Sequence, residues 1–286
     1  MGKRLRHVII FFILSFVTTW AFYFSIVAFG LDPYGGSFAG MMLLIFGGCM
    51  PTVIGIIMAL VTYRRAQKKE FFKRFYDLRY IKPLWWVVAI FLFPAVMALS
   101  IGVELLFGGA LPEMEKLYAI LANPVVWFPA VLLSFMSGPF SEEFGWRGFA
   151  LNPLLERFGF TRASVLLGFI WALWHFPLYF VPTSWYGKMG FAFEGFWAFI
   201  LLNIGLAVII SWVFLHTKRS IMAAMLIHLS ANFSTQLIAG PTGPGYSPRL
   251  ELVRTLVILA IAAVLCIFMI VKKKDSAANY AYVEIK

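Results

Sequence analysis

The sequence predicts an all-α fold, a polytopic membrane protein of about eight transmembrane helices with both termini cytoplasmic. Three observations lead there. The 286 residues are 62% hydrophobic and only 13% charged, with a mean hydropathy of +0.86. The apolar residues are gathered into blocks of roughly 20, the length that crosses the hydrocarbon core of a bilayer. Lysine and arginine concentrate in every second connection between those blocks, as the inside rule for positive charge requires.

Eight apolar blocks occupy residues 8–29, 39–63, 84–107, 125–149, 163–181, 195–215, 220–239 and 251–271. The first follows Lys3, Arg4 and Arg6 and exceeds the roughly 7 to 15 apolar residues of a signal peptide, so it reads as a retained helix. The second connection, 64–82, holds eight lysines and arginines against Glu70 and Asp77 and should face the cytoplasm. Its Phe71, Phe72, Phe75 and Tyr76, set among those charges, predict an amphipathic surface helix. The N-terminus, 147–162, 216–219 and the tail with Lys272, Lys273 and Lys274 are basic too. The intervening connections, around Asp32, Glu113 and Glu115, Lys188 and the Pro/Gly-rich 240–248, carry few cations. Paired aromatics such as Trp85-Trp86 and Trp185-Tyr186 fall at predicted helix ends, where amphipathic rings suit the headgroup level.

Residues 1–286 therefore read as one integral membrane domain, expected in the plasma membrane, with membrane lipid as its solvent and no soluble domain attached. Arg6 stands where a myristoylation signal wants Ser or Thr, and residues 283–286 form no prenylation box. Cys49 and Cys266 lie in separate apolar blocks without metal-ligand spacing and read as packing residues. The net charge of +11 sits between apolar blocks, where it orients a membrane protein, so no nucleic-acid partner is expected.

Ionisable groups inside apolar blocks are expensive and mark function by default. Glu142 and Glu143 end one apolar run, with Arg147 four residues beyond Glu143. His175 and His228 are read as the other deeply placed ionisable groups, and Asn232 follows His228 by one helical turn. On a helix Glu143 and Arg147 face each other while Glu142 points about 100° away, so one carboxylate pairs and its neighbour stays free. His228 and Asn232 share a face and present donors to a common atom. Counting rise from predicted cytoplasmic helix ends puts Glu142 about 10 Å deep, His228 about 12 Å and His175 about 18 Å. Three helices would thus line one cavity near the cytoplasmic side. Pro129, Gly138-Pro139 and Pro177 are expected to kink or open the helices beside it.

These residues resemble a known family. Glu142-Glu143 through Arg147 is similar to its EExxxR motif, Trp171 to His175 to its FxxxH motif, and His228 to Asn232 to its HxxxN motif. The family is the CPBP intramembrane proteases (CAAX protease and bacteriocin-processing, or Abi), akin to Rce1-type CAAX prenyl endopeptidases, with a core expected at about 124–240. Trp171 stands where the family has Phe, a change expected to alter cavity shape more than chemistry. The resemblance implies an endopeptidase cleaving near the cytoplasmic membrane face. In it Glu142 activates water together with His175, His228 and Asn232 hydrogen-bond the oxyanion, and Glu143 and Arg147 orient the site. Its partners would be peptide or protein substrates, lipidated or not. No cofactor is favoured; the alternative is zinc held by Glu142, His175 and His228 as a His₂Glu set. The competing readings are a transporter, since intramembrane Glu, His and Arg also mark ion paths, and a non-catalytic scaffold.

Overall fold

In the computed structural model, which describes residues 2–238 and 247–280, the chain is a bundle of helices with, among the described residues, no strand. Most of the polar connection predicted at 240–248, and the tail at 283–286, lie outside the described residues. Eight helices are long and apolar enough to span a membrane. They are α1 (Lys3–Ala28), α2 (Phe38–Thr62), α4 (Pro83–Leu106), α6 (Val125–Phe158), α7 (Phe160–Phe180), α8 (Gly195–His216), α9 (Ile221–Ile238) and α10 (Pro248–Val271). Between them lie α3 (Arg65–Tyr76), the amphipathic helix expected there, and the short α5 (Glu115–Ala122), which composition did not announce.

The spans alternate in direction, so the connections fall on two faces. The start of α1, α3, the 216–220 turn and the end of α10 share the face that carries most of the lysines and arginines, hereafter the basic face. Cross-links within that face confirm the grouping: Arg4 pairs with Glu156 at 2.9 Å, and the Ser220 hydroxyl donates to the Arg74 carbonyl. After α10 the chain folds back, and Asp275 caps the start of α7 through its carbonyl, which accepts from Phe160, and its carboxylate, which accepts from Thr161 at 2.7 Å. Gly159 permits that approach. Its φ is +77°, and a Cβ there would lie 1.9 Å from the Asp275 carbonyl oxygen. On the opposite face Thr183 donates to Asp32 at 2.6 Å, joining the loop before α2 to the loop after α7.

The fourth span departs most from expectation. It runs to Phe158 instead of ending near residue 149, because Arg147 is fully buried and paired with Glu143, so the charge does not terminate the helix. Its ladder widens twice, into π-helix at Met136–Phe140 and at Phe144–Ala150, leaving one α-turn, Ser141–Glu143, between. Pro139 accounts for the first widening, since it lacks an N–H and its ring crowds the preceding turn. The Thr52 hydroxyl of α2 donates to the Phe140 carbonyl at 2.9 Å. The second widening lies where α2 comes closest. A Cβ on Gly145 would meet the Pro51 carbonyl oxygen at 2.3 Å, and one on Gly55 would meet the Gly145 Cα at 2.6 Å. Two glycines therefore let the backbones of α2 and α6 touch, as small residues do in membrane helix pairs.

Candidate active site

The π-turns place the acidic pair. Glu142 and Glu143, both buried, project from the single α-turn in different directions, as their neighbours show. The Glu142 Oε2 accepts hydrogen bonds from the indole N–H groups of Trp171 and, at 3.2 Å, Trp146. The Glu143 Oε1 accepts from Arg147 Nη1 and from His228 Nδ1, each at 2.8 Å. Arg147 also lies 4.8 Å from the Trp171 ring centroid, a cation–π contact. The expected Glu143–Arg147 pair is thus present, and it extends to His228.

Both histidines are held through Nδ1. In His175 that nitrogen is 2.9 Å from the Trp171 carbonyl, which can only accept, so Nδ1 carries a proton. The ring stacks on Tyr186 at 5.3 Å and meets the edges of Trp174 and Phe199. In His228 the Glu143 carboxylate accepts from the same nitrogen. Nε2 is thus left open on each ring, and both rings line one cavity with Glu142 and Asn232. The point of convergence is Gly138. A Cβ on that residue would sit 2.8 Å from Asn232 Nδ2, 3.6 Å from His228 Nε2 and 3.7 Å from Glu142 Oε1. Space for a small reacting group exists there because residue 138 has no side chain.

The cavity holds about 550 Å³. All four residues expected to do chemistry line it, whereas Glu143 and Arg147 stand behind them. Sequence reasoning underrated three features. Trp171 touches the chemistry as well as the shape, since its indole N–H bonds Glu142 and a Phe ring offers no such donor. Gly138 was read only as a kink. The two histidines and the acidic pair are also not the only buried ionisable groups in the spans, because Glu104, Glu251 and Arg254 are buried as well. Arg254 lines the cavity, bonded to Glu251 and to Thr235 at 2.5 Å. An i,i+3 pair inside an apolar helix was the signal for it.

The depth expected for Glu142 also changes. Sixteen residues separate it from Phe158, on the order of 20 Å of helix, so the acid stands near the middle of its span. As for a metal, no group of three His, Cys, Asp or Glu side chains among the described residues is drawn together closely enough to hold an ion. The hydrogen bonds described above occupy Glu142 Oε2 and the two Nδ1 atoms, so Glu142 Oε1 and the Nε2 of each imidazole are the atoms turned to the cavity.

Comparison with known proteins agrees with the motifs. Residues 123–234 match the family model described as type II CAAX prenyl endopeptidase Rce1-like. The chain is 28% identical over 270 residues to "CAAX prenyl protease 2" of Methanococcus maripaludis, covering 91% of this chain and 93% of that protein.

Proposed function

From the match of residues 123–234 to the Rce1-like family model, in a chain with eight candidate membrane spans, we propose that this protein is an intramembrane endopeptidase, CAAX prenyl protease-like, that hydrolyses a peptide bond with water activated by Glu142. The observation that carries the reading is the convergence of Glu142, His228 and Asn232 around Gly138.

Amide hydrolysis needs an activated water, a place for the tetrahedral oxyanion and a proton for the leaving amine. The Glu142 carboxylate takes a proton from water while the Nε2 lone pair of His175 accepts the other O–H and orients it. The hydroxide so formed attacks the scissile carbonyl, whose oxygen becomes anionic beside Asn232 and His228. The Asn232 amide donates to that oxygen directly. His228, held by Glu143 through Nδ1, turns its Nε2 toward the same oxygen and donates to it when that nitrogen carries a proton. Glu142 then returns its proton to the departing nitrogen as the C–N bond breaks. Trp146 and Trp171 hold the Glu142 carboxylate on one edge and leave its Oε1 for the water. Nothing in this sequence of steps is routed through a metal.

Replacing Glu142 by Gln in purified protein keeps the shape and removes the base. Turnover of a fluorogenic peptide library should fall by about 10²- to 10⁴-fold with little change in melting temperature. A Gln variant as fast as the parent would overturn the mechanism, and intact transport or partner binding without any cleavage by the parent would favour the transporter or scaffold. Activity should also persist in excess chelator; its loss, reversed by zinc alone, would replace the glutamate mechanism with a metal one.

A further inference from the structure

The cavity has a direction. In every span that contributes to it, the lining residues come from the half facing away from the basic face, none more than a couple of residues beyond the midpoint. Tyr34 and Trp185, in or beside the connections of that opposite face, line it too, and Tyr34 is 54% exposed. Ile45, Leu133 and Met136 combine lining with exposure on the same half.

Toward the basic face the cavity is closed by stacked aromatic rings. Phe144 and Phe149 of the second π-turn are buried, and α3 lays Phe71 and Phe75 across them, at ring distances of 5.8 Å and 4.9 Å from Phe144. Tyr63 stacks on Phe149 at 5.6 Å. A separate cavity of about 250 Å³, bordered by Lys3, Arg4, Arg64 and Arg74, lies beneath that floor. No residue lines both cavities. Basic connections belong in the cytoplasm. Hence the basic connections and the mouth of the cavity lie on opposite sides of the membrane, and the two sequence-based expectations, basic loops inside and cleavage near the cytoplasmic face, conflict.

We propose that the catalytic cavity is entered from the side opposite the cytoplasm, so that its substrates are peptide segments displayed on that side or embedded in its leaflet, not the tails of cytoplasmic proteins. Leu44, Leu178, Phe199, Leu202 and Leu206 on its wall suit apolar side chains flanking the cleaved bond. The word substrate rests on the endopeptidase reading; the sidedness does not.

Native Cys49 lines the cavity and is half-buried, so it reports access without any cleavage. In full-length Cys266→Ser protein, a charged, membrane-impermeant methanethiosulfonate added to right-side-out vesicles should modify Cys49 at least tenfold faster than in inside-out vesicles. In a background lacking both native thiols, Ala66→Cys on α3 should react only in inside-out vesicles and Lys188→Cys only in right-side-out ones. Faster Cys49 modification from the cytoplasmic side, no modification from the outer side, or reaction of Ala66→Cys in right-side-out vesicles would each overturn the proposal. A sulfonated fluorogenic peptide with an apolar C-terminal segment, added to the same vesicles before and after detergent, tests the endopeptidase separately. Cleavage confined to inside-out vesicles defeats the sidedness, whereas no cleavage in detergent defeats the endopeptidase and leaves the thiol result standing.

Discussion

The two halves of the bundle are built on different principles. The half next to the basic face is filled with aromatic rings, Phe11, Phe71, Phe144, Trp146 and Phe149, whose centroids lie within about 6 Å of a neighbour and which bury almost no polar atom of their own. The other half is hollow and lined by imidazoles, carboxylate and amide. Between them stands a single α-turn carrying Glu142 and Glu143, one facing the hollow and the other anchored behind it. The filled half fixes the geometry and the hollow half uses it, which is how a membrane protein keeps a polar site open without lipid-exposed backbone.

If that division holds, substitutions in the filled half should cost stability and those in the hollow half should cost turnover. The largest effect is expected at the crossing of α2 and α6. Gly145→Leu forces a side chain into the Pro51 carbonyl, and overpacking against backbone cannot be relieved by a rotamer change. Detergent extracts should contain little or no monodisperse protein. Next comes Phe71→Ala, which removes a buried ring from the floor and should cost about 3 kcal/mol in thermal or denaturant unfolding while leaving kcat per folded molecule unchanged. A drop in kcat with unaltered unfolding would erase the distinction between the halves.

Gly138→Ala sharpens the comparison from the other side. Its methyl would meet the Asn232 amide at 2.8 Å, so kcat should fall by roughly 10- to 100-fold, the equivalent of about 1.4 to 2.8 kcal/mol, with the melting temperature held within a few degrees. The smallest effect is expected from Trp171→Phe, which keeps a ring on Arg147 and deletes one donor to Glu142. One hydrogen bond to a charged group is worth about 1.5 to 3 kcal/mol. Trp146 still supports the carboxylate, so the loss in kcat should lie near tenfold, without change in unfolding.

Much of this was legible in the sequence, for identifiable reasons. The spans announce themselves because lipid admits so few charges, and the same rarity singles out Glu142, Glu143, Arg147, His175 and His228. The pairing of Glu143 with Arg147 followed from helical spacing alone. The end of the fourth span did not. Hydropathy falls after Glu142 because Arg147, Glu156 and Arg157 count as polar, whether or not they are neutralised by partners. That early ending made Glu142 look shallow, whereas it stands near the middle of the span. The tendency of Pro139 to break the ladder was visible, but how the widened helix sits against α2 depends on a partner that spacing does not reveal, here the Thr52 hydroxyl on the Phe140 carbonyl. The indole donors on Glu142 were hidden for another reason, since a tryptophan in an apolar run reads as packing until its N–H has a direction.

Asp275 holds down the first turn of the helix that carries His175. Asp275, beyond the last span, is therefore a clasp on α7. Cutting the chain between Val271 and Asp275 would free the start of α7 while leaving all eight described spans whole.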